Sequence, residues 1–196
     1  MNFLKSTRTH ILVLLVGWLA DQLSKLWAVG RLAHPDGTPT GEAIPVIGQW
    51  LRFRLAYNEG AAFSSRPQDL LPFLHPTVFY GLISVVAVVG LVYFYRTLPK
   101  VDWPGRLGTL MILSGAMGNL ADRLRIHKVV DFIDSDFPDF IMHRWPTFNI
   151  ADSLVLIGVG MVIVGPKLFK IPRPPEDKNA GKRSKKDSGN VDVKGS

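Results

Sequence analysis

Four stretches of the sequence contain no Asp, Glu, Lys or Arg, and polar segments separate them. They cover 11–20, with an apolar continuation to Val29, and 70–95, 107–121 and 153–166. About 20 apolar residues in a helix are enough to cross the hydrocarbon core of a bilayer. The pattern predicts an all-α integral membrane protein with four transmembrane helices.

The ends of these stretches place two aspartates in the membrane. Pro72 and Pro76 open the second stretch, so we expect its helix to begin near Thr77. The third stretch would cover only about 22 Å of a hydrocarbon core that is about 30 Å thick. Asp122 and Asp152, which lie next to the third and fourth stretches, must therefore occupy helical turns at or inside one edge of the membrane.

The composition agrees with a small membrane protein of one domain. The 196 residues are 47% hydrophobic despite 23 Lys and Arg and 16 Asp and Glu, so apolar and charged residues are segregated along the chain. Cysteine is absent, which excludes disulfides, thiolate metal sites and a cysteine nucleophile. The first apolar stretch could be a signal peptide, but no small-x-small cleavage site follows Ala20.

The basic residues are distributed unevenly, which predicts the orientation in the membrane. Fourteen Lys and Arg lie in the N-terminus, the loop 96–106 and the tail, against eight in the longer segments on the other side. By the positive-inside rule both termini are cytoplasmic, so Asp122, Asp131 and Asp152 face outward. Nine of the basic residues lie between Lys167 and Lys194, so the net charge of +7 comes from the tail, and we expect no nucleic-acid partner.

The chain divides into two regions of different composition. Residues 1–170 form a four-span membrane domain. Residues 171–196 are rich in Pro, Lys, Asp, Gly and Ser and cannot bury a core, so we expect a basic, disordered cytoplasmic tail.

The outward segment 49–57 alternates with a period of two, which predicts a β-strand with one cationic and one apolar face. The two faces comprise Arg52 and Arg54, and Phe53, Leu55 and Tyr57. Turn-forming residues at 35–41 could close a hairpin or a small sheet. The sequence thus adds a small extracytoplasmic β-strand segment that can lie on lipid headgroups; an ordinary loop is the alternative.

Ionisable residues inside membrane spans are costly and are therefore candidates for function. Asp21 and Lys25 stand four residues apart on one predicted helix and can neutralise each other, although a purely structural pair is equally compatible with this spacing. An asparagine also precedes an aspartate by three residues twice, and an amide that donates to a carboxylate would fix its orientation. These pairs are Asn119 with Asp122 and Asn149 with Asp152.

The inventory of reactive side chains favours an aspartic mechanism. The chain has no G-x-S-x-G or H-E-x-x-H motif, and its five histidines are scattered. Two carboxylates that share a proton can activate water and protonate a carbonyl oxygen, which hydrolyses an amide without a nucleophile or a metal. We therefore expect neither a metal nor a cofactor.

Five short motifs follow one another between residues 21 and 152. They are DQLSK at 21–25, NEGAAF at 58–63, GAMGNLADR at 115–123, VVDF at 129–132 and FNIAD at 148–152. The ordered set resembles the motifs of bacterial lipoprotein signal peptidases, also called type II or prolipoprotein signal peptidases. Ser114 departs from the family pattern, which usually has a second glycine before Gly115, and we expect only tighter local packing from it.

The resemblance implies an intramembrane aspartic endopeptidase of the bacterial cytoplasmic (inner) membrane, with its active site on the extracytoplasmic side. It implies cleavage of prolipoproteins before a diacylglyceryl-modified cysteine, with Asp131 and Asp152 as the catalytic dyad. The implied partners are diacylated prolipoproteins and membrane lipids, and we expect a monomer. Substrate-binding or site-shaping roles are implied for Asp21, Lys25, Asn58, Gly60, Ala61, Asn119, Asp122, Arg123, Asn149 and Ala151.

Two other classes of function compete with a peptidase. In a small proton- or ion-coupled transporter subunit, the carboxylates of the spans would form an ion path, but four spans without internal repeats disfavour it. A structural scaffold would leave those carboxylates unexplained. Two local alternatives also remain. Residues 58–63 could form a plain turn. The acids at 134, 136 and 139 could be imagined as a calcium loop, but they lack the glycine and glutamate of such a loop, so we expect a solvated acidic loop.

Overall fold

A computed structural model describes residues 6–60, 76–136 and 144–172 of the chain. This part contains four helices and three strands. In chain order the elements are α1 (Thr7–Leu32), β1 (Ile44–Ile47), β2 (Leu51–Asn58), α2 (Pro76–Thr97), α3 (Trp103–Ile126), β3 (Val129–Ser135) and α4 (Ile150–Leu168).

Each helix coincides with one of the apolar stretches, and the chain is helical at Thr77, near which α2 is predicted to begin. Asp122 and Asp152 lie in helical turns, as their positions beside short apolar stretches require. Local capping explains two of the helix starts. The Asp102 side chain accepts the Gly105 N–H at the start of α3, and Asn149 with Asp152 forms a reciprocal capping box at the start of α4.

Three of the helices have the length and hydropathy of membrane spans within the described residues: Thr7–Leu32, Val78–Thr97 and Ile150–Leu168. The helix α3 is less apolar, yet it contacts α1, α2 and α4. Because its neighbours surround it, α3 can carry small and polar residues that a lipid-facing helix could not.

Glycines allow α3 and α4 to approach closely. A Cβ at Gly108 would lie 2.6 Å from the Gly158 carbonyl oxygen, and one at Gly115 would collide with the Ala151 carbonyl. Small residues thus serve helix packing at Gly108 and Gly115. Ser114 packs against α1, where its hydroxyl donates to the Leu14 carbonyl at 3.1 Å, which agrees with the expected local packing.

The three strands form an antiparallel sheet in the order β1-β2-β3. The strand β2 confirms the prediction for 49–57, whereas β3 was not anticipated. The residues 129–132 of β3 are all buried, so they lack the alternation that identifies a half-exposed strand. The register places Asp131 opposite Ala56 and Asp134 opposite Arg52.

The apolar face of β2 packs on the C-terminal end of α1. Leu55 is buried with Leu32 and Val130, and the ring of Phe53 lies 5.2 Å from Trp27 and 5.8 Å from Phe132 between centroids. The sheet is therefore anchored to α1 through the face that the sequence pattern assigned as apolar.

Asp134 contradicts the expectation of a solvated acidic loop. Its side chain is 2% exposed and pairs with Arg52 and Arg144, each at 2.6 Å. Burial alone would raise its pKa, but the hydrogen bonds and charges of the two arginines lower the pKa below the ordinary value of 3.8. Asp136 pairs with Arg144 at 3.2 Å, and position 139 lies outside the described residues, as do positions 173–196 of the predicted tail.

Phe53→Asp is expected to destabilise the protein far more than Arg52→Gln. The first change places a charge among aromatic rings and removes a packed side chain, which costs about 3 kcal/mol or more. The second removes one partly exposed ion pair while Arg144 still binds Asp134, so we expect about 1 kcal/mol or less. Thermal unfolding of the detergent-purified variants measures both, with Arg54→Gln as an exposed control. Equal tolerance of both changes would mean that the sheet does not pack on α1.

Candidate active site

The structure brings Asp131 and Asp152 together through Asn149. Asp131 lies on β3 and Asp152 lies in the first turn of α4. The Nδ2 of Asn149 donates to Asp131 Oδ1 at 2.7 Å, and the backbone N–H of Asn149 donates to Asp152 Oδ2 at 3.2 Å. One residue thus binds both carboxylates, and it fixes their relative orientation.

Backbone hydrogen bonds fix the distance between the two elements that carry these aspartates. The N–H groups of Phe132 and Ile133 both donate to the Phe148 carbonyl, and the Phe148 N–H donates to the Ile133 carbonyl. The segment that leads into α4 therefore pairs with β3 directly beside the aspartates. Neither carboxylate can move away from the other unless this pairing breaks.

A second asparagine holds the remaining oxygen of Asp152. The Nδ2 of Asn119 donates to Asp152 Oδ1 at 2.9 Å, while its Oδ1 accepts from Lys25 Nζ at 2.9 Å and from Asn149 Nδ2 at 3.1 Å. The expectation that Asn119 orients Asp122 is wrong, because its amide crosses from α3 to α4. Asn149 and Asp152 do contact each other as their spacing predicts, but through backbone N–H groups: the Asn149 N–H donates to Asp152 Oδ2 and the Asp152 N–H donates to Asn149 Oδ1, while the Asn149 amide donates to Asp131 instead.

Lys25 is fully buried between two carboxylates. Its Nζ lies 2.9 Å from Asp21 Oδ2 and 2.9 Å from Asp122 Oδ2, and all three side chains are 0% exposed. The predicted pair of Asp21 and Lys25 is confirmed. The second partner, Asp122, was missed because spacing along one helix gives no information about contacts between helices.

The two carboxylates around Lys25 also bind the backbone of the elements that carry the dyad. Asp21 Oδ1 accepts the Ala151 N–H at 2.9 Å, and Asp122 Oδ2 accepts the Val130 N–H at 3.2 Å. Ala151 and Val130 immediately precede Asp152 and Asp131 in the sequence. The Lys25 cluster, defined as Asp21, Lys25 and Asp122, therefore holds in place the backbone next to both Asp131 and Asp152.

Arg123 and Asn58 border the two carboxylates. Arg123 interacts electrostatically with Asp152 and Asp131, and its Nη1 donates to Ser84 Oγ of α2 at 3.3 Å. Asn58, at the end of β2, hydrogen-bonds to Asp131 with its side chain. The contact with Ser84 was not anticipated, again because it joins two helices.

Gly60 occupies a position that requires glycine. Its φ is +98°, and a Cβ there would collide with the ring of Tyr80 on α2. Its N–H donates to Asn58 Oδ1 at 2.8 Å. The turn therefore sets the Asn58 side chain beside Asp131; Ala61, also predicted as a site residue, lies outside the described residues.

Asp131 titrates near neutrality. Burial raises its pKa from the ordinary value of 3.8 to about 7, and the negative charge of Asp152 adds to this rise, although Asn58 and Asn149 oppose it. At pH 7 the Asp131 carboxyl therefore holds its proton in about half of the molecules, and in most of them below that pH. This protonation state suits one carboxyl as an acid and the other as a base.

The described part of the chain contains no group of three or more His, Asp or Glu side chains arranged to hold a metal ion. The acidic residues that cluster in the membrane surround the ammonium group of Lys25 instead. The arrangement supports proton transfer between carboxyl groups and a bound water.

Two cavities flank the aspartates. An apolar cavity of about 450 Å³ reaches Asp152 and is walled by Trp145, Phe148, Leu156 and Ile157. A more polar cavity of about 370 Å³ reaches Asp131 beside β2. A substrate could therefore extend in two directions from the carboxylates, one apolar and one polar.

A membrane-embedded fold that brings together two carboxylates, of which Asp131 is buried and Asp152 is half-buried, points to a membrane enzyme of hydrolytic character. The family model for signal peptidase II matches residues 13–166. A lipoprotein signal peptidase of Clostridium novyi is 32% identical over 79% of this chain and 95% of its own length. Another from Syntrophotalea carbinolica is 37% identical over 63% and 72%, respectively.

A solved structure of a bacterial membrane enzyme has the same fold. It superimposes with a TM-score of 0.67 at 27% sequence identity and covers 81% of this chain and 92% of that one. The chain therefore belongs to the signal peptidase II family of membrane aspartic peptidases, which remove signal peptides from prolipoproteins. This membership disfavours the alternative of a transporter subunit.

Proposed function

We propose that this protein cleaves prolipoproteins immediately before a diacylglyceryl-modified cysteine, with Asp131 and Asp152 as the catalytic dyad. The observation that carries the proposal is the binding of both carboxylates by Asn149. The raised pKa of Asp131 supports a shared proton at neutral pH.

The dyad supplies one acid and one base. Asp131 carries the shared proton, and Asp152 takes a proton from a water whose oxygen bonds to the scissile carbonyl carbon. Asp131 donates its proton to the carbonyl oxygen, which gives a neutral tetrahedral diol. The C–N bond then breaks as Asp152 returns its proton to the leaving nitrogen and Asp131 takes one hydroxyl proton back. The products are a carboxyl-terminated signal peptide and a cysteine with a free amino group.

Cleavage by the purified full-length chain tests the proposal. A diacylated prolipoprotein in detergent with a chelator present should give two products, and mass spectrometry should place the cut directly before the lipidated cysteine. The same precursor without the diacylglyceryl group is the control and should remain intact. A cut at another position, or equal cleavage of both precursors, would contradict the proposed activity.

The pH dependence of kcat/KM is expected to report the shared proton. Above a pH of about 7 the acid form of Asp131 is lost, so kcat/KM should fall about tenfold for each further unit of pH. Initial rates at low substrate concentration between pH 6 and pH 9 measure this limb, with circular dichroism as the control for folding. A flat profile to pH 9 would exclude Asp131 as the acid.

We also infer that α3 crosses the membrane, which makes four spans. Its 24 residues correspond to about 36 Å of helix, enough for a hydrocarbon core of about 30 Å. Its contacts with all three apolar helices support an inner position. The distribution of Lys and Arg then favours cytoplasmic termini, with the dyad on the extracytoplasmic side.

Reporter fusions are expected to distinguish the two sides. Fusions at Leu98 and Lys182 should be active in a cytoplasmic reporter, and those at Gly37 and Phe137 in an exported one. A cytoplasmic signal at Phe137 would remove α3 from the set of spans, and it would separate Asp131 from the extracytoplasmic side.

Residues 1–170 are proposed as the peptidase domain of a bacterial inner-membrane protein, and 171–196 as its cytoplasmic tail. The protein is proposed to act as a monomer. Membrane lipids are the expected surroundings of the exposed apolar side chains on α1, α2 and α4.

A further inference from the structure

The segment that leads into α4 is attached to β3 at two places. Next to the dyad, Phe148 and Ile133 exchange backbone hydrogen bonds. Further from the dyad, the Trp145 N–H donates to the Ser135 carbonyl at 3.2 Å. The entry segment, defined as residues 144–149, is therefore held to β3 near both of its ends.

An ion pair reinforces the attachment that lies further from the dyad. Arg144 Nη1 donates to Asp134 Oδ1 at 2.6 Å, and its Nη2 donates to Asp136 at 3.2 Å. The other oxygen of Asp134 accepts from Arg52 of β2 through Nη2 at 2.6 Å and through Nε at 3.1 Å. The buried carboxylate of Asp134 thus joins β2, β3 and the entry segment.

Asp134 and Arg144 lie between the last two of the five motifs, since VVDF ends at Phe132 and FNIAD begins at Phe148. The family resemblance therefore assigns them no role. Burial raises the pKa of Asp134, but the hydrogen bonds and charges of the two arginines lower it below 3.8. The carboxylate is charged at neutral pH, and charge-assisted bonds of this kind are stronger than neutral ones.

We propose that Asp134 and Arg144 are positioning residues for the dyad, because their ion pair holds the entry segment against β3 and so keeps Asn149 at Asp131. This inference rests on the proposed catalytic role of Asp131 and Asp152. Asn149 is the last residue of the entry segment, and its Nδ2 donates to Asp131 Oδ1 at 2.7 Å. A displacement of about 1 Å is enough to break such a bond.

Arg144→Gln tests the proposal. The variant is expected to fold, since Arg52 still binds Asp134. Release of the entry segment should lower kcat for the diacylated prolipoprotein by about 10- to 100-fold, the range expected when reacting groups are misplaced by about 1 Å. KM should change little, because the proposal places Arg144 outside the substrate path.

The pH profile provides a readout that a purely structural role would not change. Burial is the largest cause of the raised pKa of Asp131 and outweighs the opposing bond from Asn149. Water that reaches Asp131 in Arg144→Gln should therefore lower this pKa, and the fall of kcat/KM above pH 7 should begin at lower pH. The charged groups that face Asp131, which are Asp152, Lys25 and Arg123, remain in the variant.

Arg54→Gln is the matched control, because Arg54 is an exposed arginine on β2. It should retain the wild-type kcat and pH profile. Arg144→Lys keeps the positive charge and should recover most of kcat. Hydrogen–deuterium exchange measures the attachment without activity: peptides that contain Phe148 should exchange faster in Arg144→Gln than in wild type or Arg54→Gln.

Three results would overturn the proposal. A lower unfolding temperature with unchanged kcat and pH profile would limit the ion pair to stability. A raised KM with unchanged kcat would place Arg144 in substrate binding, and unchanged exchange at Phe148 would show that the ion pair does not hold the entry segment. Wild-type protein that cleaved no prolipoprotein would contradict the proposed function instead, and the exchange measurement would still test the ion pair.

Discussion

Asp131→Asn and Asp152→Asn are each expected to lower kcat for prolipoprotein cleavage by about 10²- to 10⁴-fold, the contribution of one general acid or base. Each amide has nearly the shape of the carboxyl group but cannot exchange the proton that the reaction moves. Because the two carboxyl groups act as one unit, the double variant should be scarcely slower than either single variant. Single-turnover cleavage by purified variants measures these rates.

The stability of the Asn variants is the control that distinguishes a loss of catalysis from a loss of folding. In the folded protein Asp131 titrates near pH 7, well above the ordinary value of 3.8. The folded state therefore loses stability as the pH rises from about 4 to about 7, because over this range the carboxyl of Asp131 ionises freely in the unfolded chain but is held in its protonated form in the folded chain. A neutral Asn avoids this loss, so Asp131→Asn should unfold at the same temperature as wild type, or higher, at pH 8.

Substantial turnover by a folded Asp131→Asn or Asp152→Asn protein would remove that residue from the mechanism. Asp122→Asn offers a contrast, since Asp122 binds Lys25 and the Val130 N–H rather than facing Asp131 and Asp152. Loss of the Asp122 carboxylate should both destabilise the protein and disorder the residues of the site, so that activity and unfolding temperature fall in parallel.

The sequence predicted the helices well and the sheet only in part. Apolar stretches determine where α1 to α4 lie, because the hydrophobic content of a membrane helix is local information. The alternating pattern of β2 was equally readable. The strand β3 was not, since it is buried on both faces and its partner lies far away in the chain.

The same distinction applies to the site. Asn149 and Asp152 interact within one helix turn, so their spacing predicted their contact. The bond from Asn119 to Asp152 and the ion pair of Lys25 with Asp122 join separate helices, and no spacing along one helix reveals them. The numbers of charged residues in the spans do indicate such a contact: because the spans contain one lysine and several aspartates, more than one aspartate can be expected to pair with that lysine.

The arrangement around Lys25 explains why so many polar residues surround a two-residue dyad. Asn119 accepts from Lys25 and donates to Asp152, while Asp21 and Asp122 bind the backbone next to each dyad residue. The cluster thus fixes the positions of both carboxylates relative to each other. Its members belong to α1 and α3, so it also joins the helices that enclose the site.

Lys25→Met is expected to destabilise the protein by about 3–5 kcal/mol, because it leaves the buried Asp21 without a counter-charge and the buried Asp122 with only the exposed Arg125 at 3.3 Å. The triple variant Lys25→Met with Asp21→Asn and Asp122→Asn should recover much of this loss, since it removes both buried negative charges and each Asn can still accept its backbone N–H. Thermal unfolding in detergent measures both proteins, and Lys167→Met, at an exposed lysine near the end of α4, is the control.

The triple variant should nevertheless cleave much more slowly than wild type. Met cannot donate to Asn119 Oδ1, so the amide that binds Asp152 loses one of the two contacts that fix its orientation and keeps only the one from Asn149. Recovered stability with impaired kcat would separate the two roles of Lys25, the neutralisation of buried charge and the positioning of the dyad. Full activity in the triple variant would limit Lys25 to the first role, and equal stability of Lys25→Met and wild type would exclude a buried ion cluster altogether.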